Sequence, residues 1–205
     1  MQLIGMLDSP YVRRVAISLR LLGLPFEHRS ISVFRAFDEF RKINPVVKAP
    51  TLVCDDGEVL MDSTLILDLA EALAASGRSL MPARVADRQH ALRLIGLALA
   101  ACEKGVQIVY ERSLRPPEKQ HAPWIERVRG QLLAACDSLE AELARHPLVA
   151  DEKTIDQAGI TCAVAWRFLA AMLPEVIGAK RHPALAAHSM RAERLPAFIE
   201  WPHEV

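Results

Sequence analysis

Two serines of the sequence stand where a hydroxyl can stabilise a negative charge, each at the start of a predicted helix. Ser9 precedes Pro10 and an apolar-periodic stretch, and Ser63 follows Asp62 before another such stretch. The first turn of a helix carries unpaired N–H groups and a partial positive charge, so it attracts anions as well as capping side chains. Each serine therefore has two interpretations, as a plain helix cap or as a hydroxyl that helps to hold an anionic group.

The second serine ends the stretch 44–63, around which the rest of the chain is organised. Residues 51–54 are β-branched and apolar, which predicts a strand, and residues 55–57 predict a hairpin turn before a return strand. Ser63 is predicted to cap the helix that follows. Pro50 has no N–H and suits the first position of the strand, but the sequence leaves open whether its peptide bond is cis.

The first 75 residues predict the element order β-α-β-α-β-β-α, and everything after a linker-like stretch at residues 76–82 predicts helices. The early crossover is long enough for a parallel strand pair, whereas the final hairpin is antiparallel, so we expect a mixed four-stranded sheet. Two domains are predicted, an α/β domain over residues 1–78 and an all-α domain over residues 85–205. The first helix is expected to bury an apolar stripe and to leave its arginines 13, 14 and 20 off that stripe.

Apolar periodicity and terminal signals divide the second domain into helices. A long helix is predicted over residues 87–111 and an amphipathic helix over residues 124–143. Thr154 and Gln157 match a capping box, which opens a helix that is apolar nearly all round and is therefore expected in the core. A short last helix is predicted over residues 183–191.

The ordered set of N-terminal motifs resembles the soluble glutathione S-transferases. Residues 48–50 before a strand, a hairpin, and residues 62–63 at a helix start resemble the glutathione-binding half of that family. Residues 9–15 resemble its first helix, which carries the catalytic hydroxyl at its start, and the likeness extends to the tail at residues 194–198. The bacterial serine-type members are the most similar. The resemblance implies a thioredoxin-like α/β domain followed by an all-α domain.

The resemblance implies that Ser9 stabilises the thiolate of glutathione. A free thiol has a pKa of about 8.5 and reacts as the thiolate. A helix N-terminus supplies about 0.3–1 kcal/mol and a charge-assisted hydrogen bond about 1.5–3 kcal/mol. Because one pKa unit corresponds to about 1.4 kcal/mol, these effects are enough to bring the thiol pKa near neutrality. Tyr11 is the competing hydroxyl, since some classes of the family use a tyrosine near this helix start.

The resemblance also implies how glutathione is held. Asp62 pairs with the ammonium of the γ-glutamyl unit, and Ser63 binds its carboxylate through hydroxyl and N–H groups. Ala49 and Pro50 pair with the cysteinyl unit through main-chain groups. Lys48 neutralises the glycine carboxylate, although a lone lysine before a turn is usually only solvated.

The electrophile site stays open. Tyr110, Trp166 and Phe168 are candidate walls for an apolar pocket, but aromatic residues at helical spacing are more typical of an ordinary core. The sequence shows no His/Asp/Glu cluster with metal-ligand spacing, no Ser-His-Asp set and no phosphate-binding loop. We therefore expect no metal site.

Composition limits the partners and the compartment. Lys and Arg total 25 and Asp and Glu total 25, so the formal net charge is zero, which argues against general nucleic-acid binding. The chain start lacks a secretory pattern, and no apolar run approaches the roughly 20 residues of a membrane helix. The cysteines are widely spaced and favour cytosolic thiols over disulfides or zinc, so a cytoplasmic location is expected. They are Cys54, Cys102, Cys136 and Cys162.

These observations predict a glutathione transferase that joins the glutathione thiolate to a small hydrophobic electrophile, a reaction typical of detoxification. The resemblance implies a homodimer. The alternative is a non-catalytic protein of the same fold that mediates protein–protein interaction or stress regulation, because fold alone does not determine function. A glutathione-dependent isomerase or peroxidase is a third possibility. Thiol–disulfide exchange is disfavoured because position 9 holds serine and not cysteine.

Overall fold

The structure, a computed structural model, describes residues 1–75 and 78–204 of the 205-residue chain. The chain divides into two compact units. The first comprises Met1–Leu80 together with the C-terminal segment that begins at Leu195, and the second comprises Met81–Arg194.

The first unit is built on a mixed four-stranded sheet with the strand order β2-β1-β3-β4. Strand β1 pairs in parallel with β2 and antiparallel with β3, and β3 pairs antiparallel with β4. The predicted element order and the mixed sheet are confirmed, although β3 is one residue shorter than the strand predicted over residues 51–54. The strands are β1 Gln2–Ile4, β2 Glu27–Arg29, β3 Thr51–Val53 and β4 Val59–Leu60.

Helices pack against this sheet through the apolar positions that the periodicity predicts. Val12, Val15 and Leu19 of the first helix are fully buried. That helix ends before Gly23, whose positive φ of 72° is typical of a residue that follows a helix C-cap. The helices of this unit are α1 Pro10–Leu21, α2 Phe37–Ile43 and α3 Ser63–Leu73, with α8 Pro196–Glu200 from the C-terminal segment.

The second unit contains helices and a short 3-10 turn at Pro117–Lys119. Its helices are α4 Val85–Leu114, α5 Ala122–Arg145, α6 Gln157–Met172 and α7 Pro183–Ala192. Helix α6 is buried almost all round, as its composition predicts, because α4 and α7 both pack against it. Across the described ranges of both units, no helix combines the length and apolar character needed to cross a membrane.

The predicted capping box of α6 is wrong. The N-cap is Asp156, whose Oδ1 accepts the N–H of Gly159 at 2.8 Å. The Thr154 hydroxyl instead donates to Asp151. Aspartate caps a helix as well as threonine does, so this segment offered two possible starts, and the helix begins at the later one, at Gln157.

The C-terminal segment lies against α1, whereas the predicted boundaries grouped it with residues 85–205. Arg13 is buried, and its Nε donates to the carbonyl of Trp201 at 2.8 Å. Its Nη2 donates to the carbonyl of Phe198 at 3.4 Å. The expectation that Arg13 and Arg14 lie off the buried stripe is wrong, because both are buried. Part of the predicted linker, Ser76 and Gly77, lies outside the described residues.

Candidate functional site

Ser9 is the N-cap of α1, as predicted. Its Oγ accepts the N–H of Val12 at 3.4 Å, and Pro10 occupies the first helical position. A serine hydroxyl accepts and donates at the same time, so Ser9 can cap α1 while its hydrogen is donated to an anion. Tyr11 lies one residue further into the helix and is half-buried. The start of α1 therefore presents two hydroxyls, of which Ser9 is the one at the cap.

The start of α3 differs from the prediction by one residue. Asp62, not Ser63, is the N-cap, and its Oδ1 accepts the N–H groups of Thr64 at 2.8 Å and Leu65 at 3.4 Å. Ile66 donates its N–H to the Asp62 carbonyl at 2.9 Å. These bonds use the N–H groups of the first turn except that of Ser63, the first helical residue. This change releases the Ser63 side chain from capping.

The Ser63 side chain instead faces α1. It is buried, and its Oγ accepts a hydrogen bond from Nη1 of Arg14 at 3.3 Å. Arg14 is itself 2% exposed. A guanidinium in a protein is always charged, so a permanent positive charge lies beside the positive end of the α3 dipole. Sequence reasoning did not assign Arg14 to this site.

Tight packing brings the start of β3 close to the start of α1. Ile4 of β1 pairs with Thr51 of β3. The next residue, Gly5, has φ of +135°, and a Cβ on it would lie 2.6 Å from Val12 Cγ2 and 3.0 Å from Ala49 Cβ. Only glycine suits this position, where the loop before Ser9, the first turn of α1 and the residue before Pro50 meet. The structure thus groups the start of α1 with the start of β3, and with α3 through Arg14.

Buried hydrogen bonds organise the loop before Pro50. Asn44 is buried, and its Nδ2 donates to Thr51 Oγ1 at 2.8 Å. The Thr51 hydroxyl donates in turn to the carbonyl of Lys48 at 2.7 Å. The Ala49–Pro50 peptide bond is cis, which the sequence left open. Lys48 itself is exposed.

An acidic residue directly precedes Ser9. Asp8 is half-buried, and burial is the main cause that raises the pKa of its carboxyl, with the nearby charge of Glu204 acting in the same direction. Glu204 comes from the C-terminal segment, and its Oε2 accepts the N–H of Leu7 at 3.2 Å. The loop that leads to Ser9 is therefore tied to the chain's C-terminal segment.

The three aromatic candidates for an electrophile pocket do not share one environment. Trp166 and Phe168 are buried core residues of α6, whereas Tyr110 is 42% exposed on α4. The helical unit does contain a cavity of about 430 Å³, which none of the three lines. Its polar lining is Asp87, His90, Glu142, His146 and Asp156. Over the described parts of the chain, no group of His, Cys, Asp and Glu is arranged to hold a metal ion.

A family model and a curated relative both match this chain. Residues 3–78 match the family model described as glutathione S-transferase, N-terminal domain. The GST-like protein YibF of Escherichia coli (strain K12) is 28% identical over 166 residues, which cover 81% of each chain.

Solved structures extend the likeness to the whole chain. A glutathione transferase family member from Pseudomonas fluorescens Pf-5, with bound S-(propanoic acid)-glutathione, is 30% identical, with a TM-score of 0.80 and complete coverage of both chains. A glutathione S-transferase from Methylobacterium radiotolerans JCM 2831, in complex with glutathione sulfonate, is 28% identical, with a TM-score of 0.89 and coverage of 100% of this chain and 95% of the other. The predicted fold class, a thioredoxin-like domain and a helical domain, is confirmed. The chain belongs to the glutathione S-transferase family.

Proposed function

We propose that the protein binds reduced glutathione in its first unit and joins the glutathione thiolate to a small hydrophobic electrophile. In this reaction the thiol loses its proton to solvent, and the thiolate attacks an electrophilic carbon to form a carbon–sulfur bond. At the same time the bond from that carbon to a leaving group breaks and the leaving group departs with the electron pair, or, at a conjugated double bond, the π pair shifts and takes up a proton from water. The family relationship and the glutathione derivatives bound by similar structures support the ligand. The electrophile and the reaction itself belong to the proposal.

The start of α3 is the observation that carries the proposal. Ser63 offers an N–H that the helix does not use, and its hydroxyl lies at the same residue. The adjacent Asp62 supplies a carboxylate. This set complements the carboxylate and ammonium of one amino-acid end, because an anion is favoured at a helix N-terminus and an ammonium pairs with a carboxylate. The γ-glutamyl unit of glutathione has such an end.

With the γ-glutamyl unit at the start of α3, the other predicted site residues are assigned to the rest of glutathione. Ala49 and Pro50 pair with the cysteinyl unit through the main chain, and the exposed Lys48 neutralises the glycine carboxylate. The Ser9 hydroxyl donates to the sulfur, because capping by its oxygen leaves the hydrogen to be donated.

The proposal includes a homodimer in the cytoplasm. Helix α3 leaves Leu65 58% and Leu73 49% exposed, which is apolar area that a second copy would cover. Sedimentation at several protein concentrations measures the assembly directly. The widely spaced cysteines suit a reducing compartment.

Calorimetric titration with reduced glutathione tests the ligand. We expect the wild type to bind in the micromolar to millimolar range and Ser63→Ala to raise Kd about tenfold, because a hydrogen bond to a charged group is lost. The matched control is Thr64→Ala, which removes an exposed hydroxyl one residue away and should leave Kd unchanged. Thermal unfolding of each variant verifies folding.

Two outcomes separate the transferase from its alternative. Absence of both heat and a thermal shift at high glutathione concentration would exclude the transferase and favour the interaction protein. Binding without turnover across a panel of electrophiles would retain the site but assign it to sensing or binding.

A further inference from the structure

Arg14 is a buried cation whose contact lies at the proposed γ-glutamyl site. Its side chain projects from α1, five residues after Ser9, and Nη1 donates to Ser63 Oγ at 3.3 Å. Both side chains are buried, at 2% exposure each. A hydrogen bond between a charged donor and a buried hydroxyl is stronger than one between neutral groups, so this contact restrains the rotation of the Ser63 hydroxyl.

The direction of the bond determines what Ser63 can offer a ligand. A serine oxygen carries one hydrogen and two lone pairs. Because Arg14 can only donate, Ser63 Oγ is the acceptor, and its own hydrogen points away from the guanidinium. Donation by a cation also polarises the hydroxyl and makes it a better donor. The Ser63 hydroxyl is thereby prepared to donate to an anion at the start of α3.

We propose that Arg14 is a positioning residue for the α-carboxylate of the γ-glutamyl unit of glutathione. It holds the Ser63 hydroxyl as a donor toward that carboxylate, and its charge acts by polarising that hydroxyl. This inference rests on the proposed function, since it requires glutathione at the start of α3. Arg14 acts through Ser63 and is not assigned a contact with the reacting sulfur.

The neighbouring arginine provides a matched control. Arg13 is equally buried but points elsewhere, since it donates to the carbonyls of Trp201 and Phe198 in the C-terminal segment. Replacing Arg13 removes a buried guanidinium from the same helix without touching Ser63. Arg13→Gln should therefore lower stability while the Kd for glutathione changes by less than about twofold.

The experiment measures Kd for two ligands in a double-mutant cycle. The ligands are glutathione and 4-aminobutanoyl-cysteinylglycine, which is glutathione without the α-carboxylate of its γ-glutamyl unit. We expect Arg14→Gln to raise the Kd for glutathione about tenfold. Combined with Ser63→Ala, it should add less than about twofold to the loss caused by Ser63→Ala alone. Against the decarboxylated ligand, Arg14→Gln should have no effect, which a merely structural role would not produce.

The outcomes distinguish failure of this inference from failure of the proposed function. If the wild type does not bind glutathione, both fall. If the wild type binds and Arg14→Gln binds equally well, or if the losses from Arg14→Gln and Ser63→Ala add, only the positioning role is overturned.

Two further measurements keep the inference testable if Arg14→Gln does not fold. Arg14→Lys retains a donor and a charge, so its Kd for glutathione should rise by less than about tenfold while its Kd for the decarboxylated ligand stays at the wild-type value. A folded Arg14→Lys whose Kd rises equally for both ligands would contradict the role. A crystal structure of the wild type with glutathione needs no variant. It should show Ser63 Oγ between Arg14 and the γ-glutamyl carboxylate, and a hydroxyl turned away from that carboxylate would overturn the inference.

Discussion

Ser9 combines two properties that favour a thiolate in its neighbourhood, its place at the positive end of α1 and a hydroxyl hydrogen that capping does not use. The dipole contributes about 0.3–1 kcal/mol, whereas a charge-assisted hydrogen bond contributes about 1.5–3 kcal/mol. The hydroxyl is therefore the larger effect. Removing the Ser9 hydroxyl should raise the pKa of the glutathione thiol more than weakening the α1 dipole would.

Replacing Ser9 with alanine tests this estimate. We expect Ser9→Ala to lower kcat/KM for conjugation about 10- to 100-fold, because the thiolate loses a charge-assisted hydrogen bond. The Kd for glutathione should change little, since the γ-glutamyl contacts remain. The pKa of bound glutathione, followed by the ultraviolet absorbance of the thiolate, should rise. Tyr11→Phe is the control, and a loss of activity in that variant with full activity in Ser9→Ala would assign the role to Tyr11.

Local sequence rules predicted the cap at Ser9 correctly and missed the contacts of the candidate site that depend on packing. Ser9 follows from helix-cap preferences that act within a few residues. Arg14 was missed because arginine is usually exposed, although Ser18 and Leu21, which share its helical face, are buried. Asn44 was missed because its partner Thr51 lies on another element.

The starts of two helices show how precisely local capping preferences predict where an element begins. The sequence predicted that α3 and α6 exist, and both do. In α3 the cap is Asp62 and not Ser63, and in α6 it is Asp156 and not Thr154. In each case two good capping residues compete within the same turn. The free energies of capping by the two residues differ by less than the free energy contributed by packing of the helix that follows.

Two glycines of α4 differ in what surrounds them, and sequence alone does not separate them. Gly105 lies where α4 meets α5 and α6, and a Cβ there would approach Leu169 Cδ2 to 2.5 Å. Gly96 is exposed, and a Cβ there would meet nothing within 4 Å. Glycine costs about 1 kcal/mol in a helix relative to alanine, so a buried glycine in the middle of α4 indicates that close packing outweighs propensity.

This difference predicts opposite effects of the same substitution in one helix. Gly96→Ala should raise the free energy of unfolding by about 0.5–1 kcal/mol through helix propensity alone. Gly105→Ala gains the same propensity but overpacks the core at a cost of about 1–3 kcal/mol, so it should be neutral to destabilising by up to about 2 kcal/mol. Urea unfolding of the two variants measures both values. Equal stabilisation by the two substitutions would show that the α4–α6 contact relaxes freely.

At the scale of the whole molecule, periodicity predicted the type of elements in each unit better than the residues at which each unit begins and ends. The predicted change from an α/β to an all-helical pattern agrees with the elements observed on either side of residue 80. The sequence pattern of the C-terminal segment predicts a continuation of the helical unit. In the structure, however, Arg13 of α1 donates hydrogen bonds to carbonyls of that segment. That pairing joins residues more than 180 positions apart, which a local pattern cannot encode.

Acid sensitivity of the whole fold is expected from a histidine in the helical unit. His188 of α7 is 1% exposed, and its Nε2 donates to the carbonyl of Gly159 on α6 at 2.9 Å. Burial is the main cause that lowers the pKa of His188 from its usual 6.5, and the charge of Arg191 acts in the same direction. Asp156 and the Gly159 carbonyl oppose this shift but do not reverse it.

The sign of the pH dependence follows from which state binds the proton. With the pKa of His188 lower in the folded state, the unfolded chain takes up the proton first as pH falls through about 6.5, so the free energy of unfolding decreases on acidification. We expect the wild type to lose more stability between about pH 7.5 and about pH 5.5 than His188→Gln, which retains a donor for Gly159. Urea unfolding at both pH values measures this difference, with the exposed His121→Gln as the control. If His188→Gln loses as much stability as the wild type, the proton is taken up elsewhere and the acid sensitivity does not originate at the α6–α7 contact.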